Sequence, residues 1–165
     1  MKYLMFIAIA FSFSNSVLAD QAIVHKTGRY NENALRQSGM TIMEDYGSFV
    51  LVESPQGVQN SMLKNNNYDY NPVSDGTTIC LCNHPFDTKV GPSENIPARL
   101  KIEDYPMGTK GLYLVQFKGP IKDKWLDDLK NSGDIEIVEY IPNNTYIVRM
   151  NPTDRDNVKT GLSTA

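Results

Sequence analysis

Three residues in the middle of the chain have the spacing of a metal site. In TTICLCNHPFD, Cys80, Cys82 and His84 form a C-x-C-x-H cluster that could bring two thiolates and an imidazole to one ion. Structural zinc sites take four ligands, and no fourth stands nearby. The plainer reading is that the cysteines line one face of a strand as small apolar residues. A bridge between them is disfavoured, because residues i and i+2 of an extended strand lie about 6.6–6.8 Å apart along the chain. The metal reading keeps Cys80, Cys82 and His84 as its candidates, and no cofactor is expected.

Hydrolytic chemistry has even less to stand on. A nucleophilic serine needs a base and an orienting acid beside it. The chain has only two histidines, His25 and His84. Ser163, in the final GLSTA, sits in a tail expected to fray and reads as a chance match. The acids Asp123, Asp127, Asp128, Glu136 and Glu139 read as a solvated face rather than as paired carboxylates around a sugar. Asn143-Asn144-Thr145 has the form of a glycosylation sequon. No enzymatic activity is expected.

Composition narrows the partners. The formal net charge is −3, from 16 basic and 19 acidic side chains. No basic block is dense enough to follow a phosphate backbone, which argues against nucleic acid. The first residues run from Met1-Lys2 through the uncharged YLMFIAIAFSF to Val17 and Ala19, the pattern of a secretory signal peptide over 1–19. That run is shorter than the roughly 20 residues a membrane-spanning helix needs. The expectation is a secreted or periplasmic product, off the membrane after cleavage, starting at Asp20.

The remaining chain reads as strands and helices in a repeated order. Leu112–Phe117, "LYLVQF", is a continuous apolar strand stopped by Gly119-Pro120. In IKDKWLDDLKNSG, Ile121, Trp125 and Leu129 recur at i+4 steps, which predicts an amphipathic helix ended by Gly133. IEIVEYI and TYIVRM follow as a hairpin, and Asp154–Lys159 opens another helix. The earlier segment repeats this: AIVHK, a short helix NENALRQSG stopped by Gly39, MTIME, a turn, FVLVE, then a helix in PQGVQNSMLKNN. Aligning Gly39 with Gly133 sets Leu35 against Leu129.

Strand, helix, strand, strand, helix is most of a split βαβ. The expected fold is therefore α+β: two ferredoxin-like units with antiparallel sheets, over 20–85 and 111–165, joined by a Pro/Gly-containing connector at 86–110. The first unit would close with TTICLC, 77–82. The second lacks its last strand, which would leave LYLVQF as an unpaired edge open to a partner strand or to self-association.

Residues from about 22 to 160, specifically in 111–150 and loosely before 86, resemble the amino-terminal, propeptide-like region of secreted bacterial subtilisin-like serine proteases. The matching features are Gln116, Phe117, Gly119 and Pro120, the helix Trp125, the Gly133 stop, and Tyr140-Ile141-Pro142-Asn143 leading into Tyr146-Ile147-Val148-Arg149. FDT at 86–88 and IPARL at 96–100 resemble the connector of those proteins. The sequence departs from the family in carrying no Asp-Thr-Gly or His-Gly-Thr motif, hence no catalytic domain. The resemblance implies a ferredoxin-like fold and a non-catalytic role, folding assistance or inhibition of a subtilisin-like serine protease or its catalytic domain. The contact residues it points to are Leu112, Leu114, Gln116, Phe117, Tyr140, Tyr146 and Arg149.

Overall fold

A computed structural model of the chain describes residues 8–10, 19–55, 59–74, 76–81, 85–91 and 104–161. The chain divides into two compact units, one from Phe13–Gly76 and one from Thr77–Ala165 with Met1–Ser12. The architecture is α+β, and its sheets are antiparallel apart from one short parallel pairing. Among the described residues no helix is long and apolar enough to cross a membrane.

The first unit runs β2 (Ala19–His25), α1 (Glu32–Gln37), β3 (Thr41–Asp45), β4 (Phe49–Pro55), α2 (Gln59–Asn65) and β5 (Tyr70–Val73). Its strands lie in the order β3-β4-β2-β5. Helix α1 starts where the Asn31 side chain accepts the Ala34 N–H at 3.0 Å, and Arg36 reaches back four residues to Glu32 at 2.9 Å. Alternate residues of β2 and β4, namely Ala22, Val24, Val50 and Val52, put their side chains on one face. There they bury Leu35 and Leu63 from the helices, with Met40.

The strand that closes this sheet is Tyr70–Val73, in NNNYDYNPV, and not 77–82. Tyr70 packs against the core cluster, which anchors the strand. Pro72 is tolerated because β5 is an edge strand. Of the 77–82 segment, Thr78–Ile79 belongs instead to the second unit, where Ile79 is fully buried against Leu114 and Ile141, and Cys82 lies outside the described residues.

The second unit contains β1 (Ala8–Ala10), β6 (Thr78–Ile79), β7 (Phe86–Asp87), β8 (Gly111–Gln116), α3 (Asp123–Asn131), β9 (Glu136–Ile141), β10 (Thr145–Met150) and α4 (Pro152–Gly161). Its main sheet has the order β1-β8-β10-β9, and β6 and β7 form a separate two-stranded ribbon. Asn143 and Asn144 make the β9–β10 turn with φ of +69° and +58°, a region asparagine tolerates better than most residues. Helix α4 begins with Pro152 at its first position, and the Asn151 side chain accepts the Asp154 N–H at 2.9 Å. The core joins Tyr113, Val115, Phe117, Val148 and Met150 of the sheet to Leu129 and Val158 of the helices. No strand follows α4 among the described residues, and the place beside β8 is held by β1, within the predicted leader.

The two Ser-Gly stops share one physical device and differ in another. Ser38 Oγ donates to the Leu35 carbonyl, and Ser132 Oγ donates to the Leu129 carbonyl at 2.8 Å. In both helices the serine thus ties the end to a fully buried leucine. Gly39 then turns the chain at φ +85°, a left-handed conformation that costs other residues roughly 1–2 kcal/mol. Gly133 has no such φ. A Cβ there would stand 2.4 Å from Asp154 Oδ1, so this glycine is required by the close approach of α4.

Substitution separates the two roles. Gly133→Ala is expected to destabilise the second unit by about 1–3 kcal/mol through overpacking, and adding Asp154→Ala should recover much of that loss. Gly39→Ala should show no coupling to Asp154→Ala. Urea unfolding followed through Trp125, the single tryptophan, reads the second unit directly.

Candidate functional site

Strand β8 supplies three of the seven residues expected to meet a partner, with Phe117 directly after it, and its pairing decides where they go. Cross-strand partners share a face. Ile147 lies opposite Leu114, and Arg149 opposite Leu112, so these side chains and Gln116, opposite Thr145, project on the side away from the helices. Tyr146 lies opposite Val115 and Tyr140, on the helix side. The seven predicted contact residues are therefore divided between two faces.

On the helix side, Phe117 is 7% exposed and stacks on Trp125 at 6.1 Å between ring centroids. Tyr146 packs against the same core and meets Phe117 edge-on at 6.4 Å. Tyr140, 51% exposed, is the one clearly solvent-facing aromatic of the set, edge-on to Tyr146 at 5.4 Å. Phe117 is thus core rather than contact surface. Trp125 is half-buried there, with the ammonium groups of Lys118 and Lys122 within 5.8 Å of its ring centre.

The opposite face is half covered by the chain itself. Ile79 buries Leu114 and Ile141, and Leu81 and Phe86 pack around them. A polar seam holds this ribbon in place. Asn143 Nδ2 donates to the Thr78 carbonyl at 2.8 Å, and Gln116 Nε2 donates to the Asn143 carbonyl at 3.1 Å. The Thr88 hydroxyl lies 3.0 Å from both Gln116 Oε1 and the Thr77 carbonyl. Gln116, 6% exposed, is a satisfied buried polar residue in this seam, and Leu114 is covered. What remains open is the other end of the face: Leu112, half-buried, and Arg149, whose guanidinium meets Glu136 at 2.9 Å.

Residues 78–81 and 85–88 were not foreseen in this role. The FDT at 86–88, assigned to the connector, includes strand β7, which pairs with Thr78 and Ile79. Asn143, first of the sequon, is engaged through the side-chain amide that a sugar would occupy. The Cys80 thiol is free and exposed, while Cys82 and His84 lie outside the described residues, as does Ser163. Among the described residues no group of three or more His, Cys, Asp or Glu could hold a metal.

A second unforeseen cluster anchors the segment before β8. Arg155, 9% exposed, bonds Asp156 and reaches Asp104 at 2.8 Å, with its guanidinium carbon 6.0 Å from the centre of the Tyr113 ring. The hydrogen bond from Arg155 holds the Asp156 carboxyl below its usual range. Burial pushes the Tyr113 phenol up, against the opposing pull of Arg155, and its buried hydroxyl has no hydrogen-bond partner among the described residues.

The fold and this surface define an α+β protein of two sheet units with a partly self-covered face. The chain belongs to the family described as Domain of unknown function (DUF8729), which matches residues 63–165. It is also 35% identical over 105 residues, 59% of its length, to a Dictyostelium discoideum protein named "Serine protease/ABC transporter B family protein tagA". The chain spans 6% of that protein's length. No solved structure matches it.

Two outcomes follow from the side-chain arrangement. Asn143→Gly keeps a residue suited to positive φ but removes the bond to Thr78. It should speed amide exchange at Thr88, which bonds the Thr77 carbonyl, by about fivefold or more while leaving β10 protected, as one lost hydrogen bond is worth about 1 kcal/mol. The raised Tyr113 phenol means that its neutral form is favoured in the fold. Burial thus penalises its ionisation, so stability is unaffected by it below about pH 10 and falls as the pH climbs above that. Tyr113→Phe should leave stability at pH 7 within about 1 kcal/mol of the parent, since no partner is orphaned. The variant should flatten the fall in stability between pH 9 and 11, measured by denaturation at each pH.

Proposed function

We propose that this chain is a secreted or periplasmic, non-catalytic protein-contact module of the kind that accompanies subtilisin-like serine proteases, and that its partner is such a protease or its catalytic domain. On this reading each unit is ferredoxin-like. The first has the strand order expected of a split βαβ with its closing strand beside β2, and the second follows the same path through α4. The observation that carries the proposal is the 35% identity to a protein with serine protease in its name. The motif Gln116, Phe117, Gly119, Pro120 followed by Trp125 and the Tyr140–Arg149 hairpin supports it.

The working surface would be the open end of the strand face away from the helices: Leu112, Arg149 and Glu136, with Tyr140 exposed apart from it on the helix side. A half-buried leucine flanked by an ion pair suits a protein partner, where an apolar centre and a polar rim are the usual arrangement. Folding assistance and inhibition draw on the same contact, because whatever binds the folded protease also favours its folded state.

Purified chain starting at Asp20 is expected to slow hydrolysis of a chromogenic peptide by a subtilisin, or to raise the yield when a denatured subtilisin is refolded. Leu112→Asp should weaken either effect at least tenfold, a loss of about 1.4 kcal/mol or more in binding. A molar excess of chain that changes neither rate nor yield would refute the proposal.

A further inference from the structure

Among the described residues the two four-stranded sheets end in β3 and β5 and in β9 and β1, and the first three carry devices that discourage another strand from adding. Strand β3 ends in Glu44 and Asp45 and has a register shift between Ile42 and Glu44. Strand β5 contains Pro72. Strand β9 carries Glu136 and Glu139, and its pairing with β10 is also shifted, at Ile147/Val148. Strand β8, GLYLVQ, has no charge, no proline and no bulge, and among the described residues the strand paired to its outer side is the three-residue β1.

The pairing shows which backbone groups that side presents. The Phe117 N–H donates to the Asn144 carbonyl at 2.8 Å, so by antiparallel alternation Val115 and Tyr113 also bond β10. Leu112, Leu114 and Gln116 therefore turn their N–H and C=O groups outward. The Leu112 N–H faces that way, 3.4 Å from the Tyr105 hydroxyl. Ala8, Ile9 and Ala10 run parallel to β8 opposite Leu114, Val115 and Gln116. In a parallel ladder the Ile9 N–H then donates to the Leu114 carbonyl, and the Ile9 carbonyl accepts the Gln116 N–H.

We propose that the outer edge of β8 is a strand-accepting site for an uncharged extended peptide of alternating small and aliphatic residues running parallel to β8, and that Ala8–Ala10 is its internal occupant. A three-residue parallel strand is a weak cover, since parallel pairing is slightly less stable per residue and the ladder is short. It fills the edge while the leader is attached and gives it up when residues 1–19 are removed. Main-chain bonds supply affinity in such strand addition, and side-chain size along the strand supplies selectivity. The inference requires an extended apolar partner segment but not that its owner be a protease, so it can fail or stand independently of the function proposed above.

The test compares amide exchange in the full chain, in its Ile9→Pro variant and in the chain starting at Asp20, with Val115 and Tyr113 as internal reporters of an intact sheet. Gln116 should exchange about tenfold or more faster in the latter two, as expected for a local opening confined to an edge, while Val115 and Tyr113 stay slow. A synthetic peptide containing Ile-Ala-Ile-Ala-Phe between lysines should restore slow exchange at Gln116, and the same peptide with proline at its central isoleucine should not. Equal protection of the Gln116 amide in all three proteins would overturn the inference, as would a peptide without effect. Protection that rises with protein concentration alone would place a second copy on the edge and overturn it equally.

Discussion

Strand β8 has to be satisfied on four sides at once, and the second unit is organised by how that is met. Its inner edge bonds β10 over six residue pairs. One face takes Leu129 and Val158 from the helices. The other takes Ile79 from the β6–β7 ribbon. The outer edge is left to three residues from the amino terminus. A strand apolar on both faces cannot be left open without exposing backbone and hydrophobic surface together, so each neighbouring element is there because β8 demands it.

The polar seam through Gln116, Thr88, Asn143 and Thr78 is the matching requirement at the end of that strand. A glutamine amide carries two donors and an acceptor, and burying it without partners would cost about 1–3 kcal/mol. Two groups from the ribbon and the turn meet it, which fixes the ribbon against the sheet and sets Asn143 in its left-handed conformation beside Asn144. The covered and open ends of this face thus arise from one buried side chain: Leu112 and Arg149 lie open, while Leu114 lies under Ile79, Leu81 and Phe86. At the far end of β8, Arg155 does comparable work by drawing Asp104 and Asp156 together against Tyr113.

The two units also show how one sequence echo can serve different constraints. Ser38 and Ser132 cap their helices by the same bond to the carbonyl of a buried leucine, and the residue after each is glycine. One glycine answers a backbone torsion and the other a packing contact with a helix that only the second unit places there.

The sequence alone determined the strands and helices, because period, caps and stops are local: LYLVQF, the Ile121-Trp125-Leu129 stripe, the hairpin around Asn143 and both Ser-Gly ends stand where pattern puts them. It also carried the α+β class. Tertiary structure decided what the local pattern could not. TTIC reads as a strand, but which sheet it joins depends on the apolar face of β8 nearby in space, and so the closing strand of the first unit is the less apolar YNPV. The alternation of β8 and β10 shows that two faces exist but not which one the helices cover, so Phe117 and Tyr146 were grouped with Leu112 and Arg149. Likewise the uncharged run at the amino terminus is legible as apolar, while its pairing with β8 is a long-range contact that no local period encodes.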